Sequence, residues 1–178
     1  MTVTIDLTEA DLMTALRGFL LPIVNCPVVP AEDNQPLPSG TFVTMTSLSI
    51  EALASNKSRF ADTGSATTSR LDYLCSSQWT VQLDFYGVPA NSLAMRVAGL
   101  VGSDYAADWF AAGTLAMTPL YASQLRNTTR INSEQQYQPR WTFNFVAQFN
   151  PVITTAMDYA DQLHIEVAEV AIKFPPED

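Results

Sequence analysis

One histidine stands in the chain, His164, and any Ser–His–Asp arrangement would have to use it, with Asp161 and Glu166 as its sequence neighbours. It alternates with the apolar residues Leu163 and Ile165, and a lone histidine on the polar side of a strand reads as a surface residue rather than a general base. Cys26 and Cys75 lie 49 positions apart and form no CxxC pair. Two thiols and one imidazole leave a structural zinc site short of ligands unless a carboxylate completes it, and no HExxH spacing is present. A disulfide between the two cysteines is conceivable, but two small, buried, free thiols are the favoured reading. Asp104 and Asp108 stand one helical turn apart, where acids at a helix start favour the dipole without any catalytic task. Asp158, Asp161, Glu166, Glu169, Glu177 and Asp178 gather at the end of the chain without the spacing of a calcium loop. GxSxG, P-loop and GxGxxG patterns are absent. The chain is therefore read as a non-enzyme, with no catalytic residue, cofactor or metal ligand set assigned.

Two stretches carry recognition chemistry instead. Tyr121 to Pro139, YASQLRNTTRINSEQQYQP, holds Arg126, Arg130 and Glu134, with Asn127, Asn132, Gln135 and Gln136 around Tyr137. A connecting loop is the plain reading. An interface is favoured, because Arg and Tyr are enriched at protein contacts and a linker seldom carries so many directional groups. Glu51 to Arg70 is a long polar insertion containing Lys57, Arg59 and Arg70, three of the nine basic residues. It reads either as a solvated hairpin or as an arm that orders against a partner, and both readings stay open.

Stepping out to the whole chain, 178 residues and 19.5 kDa make one domain, 1–178, with the polar arm or loop at 51–70. Hydrophobic residues at 47% exclude wholesale disorder. Charged residues are only 15%, against about 25% in an ordinary domain, and 48 Ser, Thr, Asn and Gln residues take their place. The net charge of −9 argues against a free nucleic-acid binder, since phosphate attraction would have to overcome repulsion. A surface so poor in charge suits contact with other protein. The opening residues MTVTIDLTEADL are acidic and lack a signal-peptide pattern, and Met13 to Val24 is interrupted by Arg17 and Pro22. The expectation is a soluble protein, intracellular at synthesis.

The elements that position these groups follow from periodicity. Thr8 with Asp11 predicts a helix start, and Leu12, Leu16, Phe19, Leu20 and Ile23 recur on one helical stripe, with Pro22 ending or kinking it. Asn25 to Gly40, with Pro27, Pro30, Pro36 and Pro38, reads as an extended connector. Thr41 to Ile50 is a strand. In Gln78 to Tyr86, Trp79, Val81, Leu83 and Phe85 face one way and Gln78, Thr80, Gln82 and Asp84 the other. A helix from about Asn91 buries Leu93, Val97, Leu100 and Val101, and Ser103 caps a second bearing Tyr105, Trp109 and Phe110. Trp141 to Gln148 is another alternating strand, stopped at Asn150-Pro151. Leu163 to Phe174 reads as a strand with a bulge near Ala168-Glu169 or, in competition, as a helix. The fold class is α+β, a mixed, largely antiparallel sheet with helices on one face.

RNTTRINSEQQYQPRWTFNFVAQFNP, the Asp158–Asp161 segment DYAD, QWTVQLDFYG, and Asp104-Tyr105 with Asp108-Trp109-Phe110 together resemble the neck or tail-terminator proteins of tailed bacteriophages. The resemblance spans Gln78 to Pro176. It implies a structural virion subunit that forms a ring, a hexamer, at the head-proximal end of the tail tube. Such a ring ends tube polymerisation, joins the tail to the head connector, and lets the genome through its lumen. The partners it implies are further copies of the chain, the tail-tube protein, and the connector or a head-completion protein. DNA passes without specific binding, no membrane is involved, and the site of action is the virion after assembly in the host cytoplasm. On this reading the subunit interface comprises Arg126, Asn127, Arg130, Asn132, Glu134, Gln135 and Tyr137, with the arm at Lys57 and Arg59 reaching a neighbour. Two alternatives remain: a head-completion or stopper protein of the neck, or a cytoplasmic enzyme or ligand-binding domain without a virion role.

Overall fold

Thr8 has extended backbone, and its Oγ1 accepts the Asp11 amide at 3.4 Å while the Asp11 carboxylate accepts the Thr8 amide at 2.9 Å. This reciprocal capping box starts the first helix where the sequence predicts it. The computed structural model describes residues 3–32, 36–62, 69–113, 115–131 and 136–157. The expectations for His164 and for Leu163 to Phe174 lie outside the described residues. In chain order the elements are β1 (Val3–Ile5), α1 (Glu9–Val24), β2 (Val28–Pro30), β3 (Phe42–Ala52), β4 (Lys57–Ala61), β5 (Arg70–Leu74) and β6 (Ser77–Tyr86). There follow α2 (Ala90–Val101), α3 (Asp104–Ala112), β7 (Met117–Ala122), β8 (Arg126–Asn127), β9 (Arg130–Ile131), β10 (Tyr137–Gln138), β11 (Arg140–Phe149) and β12 (Val152–Ala156).

The main sheet runs β2-β3-β6-β11-β7, with β8 also pairing along β11. All its described pairings are antiparallel except β2 with β3. At its centre β6 and β11 pair over ten residues each, from Tyr86 opposite Arg140 to Ser77 opposite Phe149. Trp79, Val81, Leu83 and Phe85 are fully buried on one face, beside Phe143, Phe145, Ala147 and Phe149 of β11. The three helices cover that face. α2 lies over β11, β7 and β6, while α1 and α3 pack against each other and against α2. Phe19 of α1 meets the rings of Phe110 at 5.0 Å and Trp109 at 5.5 Å, and Phe110 reaches on to Phe145. The Trp79 indole N–H is buried with its partner, donating to Ser47 Oγ at 2.9 Å.

Several expectations change in detail. α1 continues through Pro22 to Val24, because a proline in the last turn removes one intrahelical bond and the helix then ends on Asn25, left-handed at φ 49°. The proline-rich connector contains β2, a short parallel partner for β3. Ser103 occupies the N-cap position of α3, but its hydroxyl donates backward to the Leu100 carbonyl at 2.7 Å, closing α2 instead of capping α3. Within the insertion at 51–70, β3 runs on to Ala52, and β4 and β5 form a hairpin, one of the two readings left open. With β12 and β1 they make a second antiparallel sheet, ordered β1-β12-β5-β4. Its pairing with β12 joins residues about 80 positions apart, which local composition does not encode.

Gly87 turns β6 into α2 at φ +98°, and a Cβ there would meet Thr41 Oγ1 at 2.7 Å and the Thr41 backbone at 3.1 Å. Gly87→Ala is expected to destabilise by more than about 1 kcal/mol in urea unfolding, and an unchanged midpoint would refute the strain argument. The bonds from Thr8 hold the Asp11 carboxyl below its ordinary 3.8. The folded state thus binds that proton less tightly than the unfolded chain, so the stabilisation is present above about pH 4 and fades as the pH falls through the folded value. Asp11→Asn should lower the melting temperature at neutral pH, with the gap to the parent closing in acid. A gap independent of pH would contradict the capping role.

Candidate interaction surfaces

The described residues between Tyr121 and Pro139 form short pieces, of which β8 pairs along β11 and β9 and β10 pair with each other. Arg126 and Asn127 of β8 stand opposite Thr142 and Trp141. Asn127 Oδ1 accepts the Thr129 amide at 3.0 Å, an Asx turn that swings the chain away from the sheet, and Thr128 N–H donates to the Arg140 carbonyl at 2.9 Å. β9 and β10 then pair Ile131 with Tyr137 and Arg130 with Gln138, whose side chains also join through Arg130 Nε to Gln138 Oε1 at 3.3 Å. Ile131 and Tyr137 are 59% and 78% exposed. An exposed aromatic and aliphatic pair flanked by two guanidinium groups is the composition of a protein-binding tip. Arg126, Asn127, Arg130 and Tyr137 are thus gathered in one region. Asn132, Glu134 and Gln135 lie outside the described residues.

Lys57 and Arg59 are elsewhere. They project from β4 in the second sheet, which β11 reaches only beyond Phe149, through Asn150-Pro151 and β12. From Thr142 to Phe149 the strand covers roughly 24 Å, so the two groups occupy opposite ends of β11. They make two surfaces, not one.

Sequence reasoning missed a third feature, on the helix-free face of the main sheet. Asp84 is directly opposite Thr142 on one side and Thr44 on the other, and its side chain is 3% exposed. Arg140, two residues along β11, reaches diagonally across with Nε to Oδ1 at 3.0 Å and Nη2 to Oδ2 at 2.7 Å. Thr142 Oγ1 donates to Oδ1, Gln82 Nε2 donates to Oδ2 at 2.8 Å, and Thr128 Oγ1 lies 2.7 Å from Thr142 Oγ1. The hydrogen bond to Asp84 raises the Arg140 pKa further above its ordinary range, against the opposing effect of burial. The guanidinium also sits 5.4 Å from the centre of the Tyr86 ring, itself stacked on Phe42 at 4.5 Å. Asp84 in mid-strand was the available signal, but its partner follows only from a register that no local pattern states. A notch of about 220 Å³ opens beside this network, lined by Ser123, Arg126, Thr128 and Asn144 among others.

A groove of about 510 Å³ runs between α1 and β2 past Glu9, Arg17 and Glu32. Arg17 Nε is already bonded to the Val28 carbonyl at 2.9 Å, and among the described residues no nucleophile is paired with a base there. Both cysteines are free and half-buried, and burial pushes the Cys26 thiol pKa up, away from thiolate chemistry. No helix among the described residues is long and apolar enough to cross a membrane.

The family model described as phage neck terminator protein matches residues 10–177. The chain belongs to the phage neck terminator family. A search of curated proteins finds no match. A neck terminator is a structural protein of the virion that associates with other head or tail proteins. The match takes in nearly all of α1, the main sheet, the tip and every strand of the second sheet but β1, more of the chain than the resemblance from Gln78 to Pro176. The Asp84 network ties Arg140 and Thr142 to β6 at the end of β11 where β8 pairs with it.

Arg140→Ala would leave the Asp84 carboxylate buried and short of its cation, a loss of about 3 kcal/mol. Replacing both residues by apolar ones of similar volume, Asp84→Leu with Arg140→Met, should cost less than the single change. Urea unfolding of the parent and the two variants checks this, and a double variant less stable than Arg140→Ala would contradict it.

Proposed function

We propose that this chain is the subunit of a ring, six copies closed on themselves, at the head-proximal end of a tailed-phage tail tube. The ring ends tube polymerisation and joins the tail to the head connector. The observation that carries this reading is the family match across residues 10–177. A cyclic ring needs two different, complementary faces on every subunit. The tip bearing Arg126, Asn127, Arg130 and Tyr137, and the second sheet bearing Lys57 and Arg59, are two such candidates at opposite ends of one strand. Asn132, Glu134 and Gln135, the other residues proposed for this interface, lie outside the described residues.

The chain's composition supports the same reading. Only 15% of residues are charged, so large areas can be buried between subunits at modest desolvation cost. The net charge of −9 repels phosphate, which favours passage of a genome through the lumen over capture of it. The tail-tube protein then meets one rim and the connector or a head-completion protein the other. The ring assembles in the host cytoplasm and remains in the virion neck.

Arg130→Glu reverses the charge at the tip while leaving the main sheet untouched. On size exclusion the parent should elute as a ring and the variant as a monomer, with native circular dichroism for both. Assembly that survives the change removes the tip from the interface. A position one layer nearer the capsid, seen by electron microscopy of the neck, would make the protein a stopper rather than a terminator.

A further inference from the structure

The tip and the second sheet both carry cations, so neither complements the other, and the tip calls for a counterpart of opposite charge on the neighbouring copy. The groove between α1 and β2 has that character. Its floor is apolar, formed by Ala10, Met13, Pro30 and Met45, and the exposed carboxylates Glu9 and Glu32 line it as well. Among its described lining residues the one cation is Arg17, which the Val28 carbonyl holds. Glu9 and Glu32 make no ion pair among the described residues, and neither do Arg126 and Arg130.

We propose, resting on the ring reading, that the tip of one copy docks in the α1–β2 groove of the next. The sheet register places the two sites for it. Val28, Val43, Phe85, Trp141 and Asn127 stand in one row running from β2 across β3, β6 and β11 to β8. Four strand spacings make that row roughly 19 Å wide. The groove opens beside β2 at one end of it, where Pro30 stands opposite Met45, and the tip follows β8 at the other. Tip-to-groove docking therefore joins opposite edges of the sheet at a single level. A head-to-tail contact of this kind repeats with little rise along the axis, which a closed ring requires and an open helix does not.

Alternation in the β9–β10 ribbon sets which side enters. Ile131 and Tyr137 are directly opposite each other and share one face, while Arg130 and Gln138 share the other. The exposed Ile131 and Tyr137 settle on Met13, Pro30 and Met45, which leaves the Arg130 face toward the rim of the groove. There Glu32, on the turn after β2, is the counter-charge for Arg130. An aromatic anchor filling an apolar floor, with an ion pair at the edge that excludes water around it, is the arrangement that concentrates binding energy at protein contacts.

The test uses the full chain. Tyr137→Ser disables the tip and Ala10→Trp fills the groove, and each alone should reduce the assembly to monomers in native mass spectrometry. Mixed in equal amounts the two should form a dimer and stop there, because each pair holds one intact tip and one intact groove. In a single chain, Glu32→Arg should restore the assembly that Arg130→Glu abolishes, and Glu51→Arg, an equal change of net charge elsewhere, should not. The contact is also read without a ring. With Cys26→Ser and Cys75→Ser in every chain, Ile131→Cys chains should link to Ala10→Cys chains about ten-fold faster than to Ser92→Cys chains, whose thiol lies on α2 away from the groove. A parent that forms no ring yet shows this preference keeps the contact and removes the ring. A ring whose links show no preference, that survives Tyr137→Ser or Ala10→Trp, or that Glu51→Arg rescues as well as Glu32→Arg does, overturns the contact and leaves the ring. In purified virions, a link from Ala10→Cys to the tube or connector protein instead of a second copy would overturn it too.

Discussion

The ten-pair antiparallel ladder between β6 and β11 constrains nearly everything else in the molecule. Because side chains alternate along each strand, one choice of register sorts twenty residues onto two faces at once. Trp79, Val81, Leu83 and Phe85 meet Ala147, Phe145, Phe143 and Trp141 on the helix side. The same choice puts Asp84 opposite Thr142 and Gln82 opposite Asn144 on the other. The helices have only one face on which to lie; α1 and α3 meet there through ring contacts centred on Phe19 and Phe110, and α2 buries Leu93, Val97 and Val101 beside them. The recognition residues inherit their positions from the ladder too. β8 docks on the first residues of β11, and the last residues of β11 deliver the chain to β12.

Two irregularities let the flanking strands depart from that plan. β3 follows β6 in strict register from Phe42 to Ser47, then skips a residue at Leu48, which is 49% exposed. β7 skips similarly at Leu120 opposite the Val146–Ala147 step. Each extra residue bends its strand and increases the local twist. Beyond the first, β3 extends past the helical layer to Ala52, and Leu53 N–H bonds the Ser76 carbonyl at 2.8 Å. Where the two sheets meet, Cys75 N–H bonds the Pro151 carbonyl, and Val152 N–H bonds Asp6 Oδ1 to close the β1–β12 end of the second sheet. Its strands add no residue to the core, so it is held by backbone pairing and short tethers rather than by shared burial.

How much of this was legible in the sequence depended on the range of the interaction that decides it. The capping box at Thr8 and Asp11 involves neighbours three residues apart, and the α1 stripe repeats within one helix, so both read directly. The alternating strands around Trp79 and Phe143 read equally well, because one face of each is dry. The β4–β5 hairpin stood only as one of two open readings, and its place in a second sheet was not legible. KSRFA and RLDYL alternate only weakly, and the strand that stabilises them comes about 80 residues later. The tip residues were recognisable as contact chemistry by type, but their separation from Lys57 and Arg59 depends on the length of β11 and on a sheet the local pattern does not announce. Arg140 was passed over for a similar reason. It reads as the polar residue before a strand, and only the register shows it crossing to Asp84.

That ion pair bears on why the register holds. A carboxylate 3% exposed is a poor source of net stability, since desolvation offsets much of the attraction even with a bidentate partner. Its effect on alternatives is larger. Sliding β11 by one residue along β6 would turn its phenylalanines toward the helix-free face. It would also remove Thr142 from Asp84 and aim Arg140 into the apolar layer. A two-residue slip keeps the faces: in one direction Asn144 comes opposite Asp84 and Arg140 is carried away from a buried charge, in the other Arg140 comes directly opposite it and Thr142 is displaced. The hydrophobic pattern excludes odd slips, and the Asp84–Arg140–Thr142 cluster opposes the even slip that carries Arg140 away. The two constraints together favour the observed pairing, and with it one placement for β8, the tip and the exit of β11 toward the second sheet.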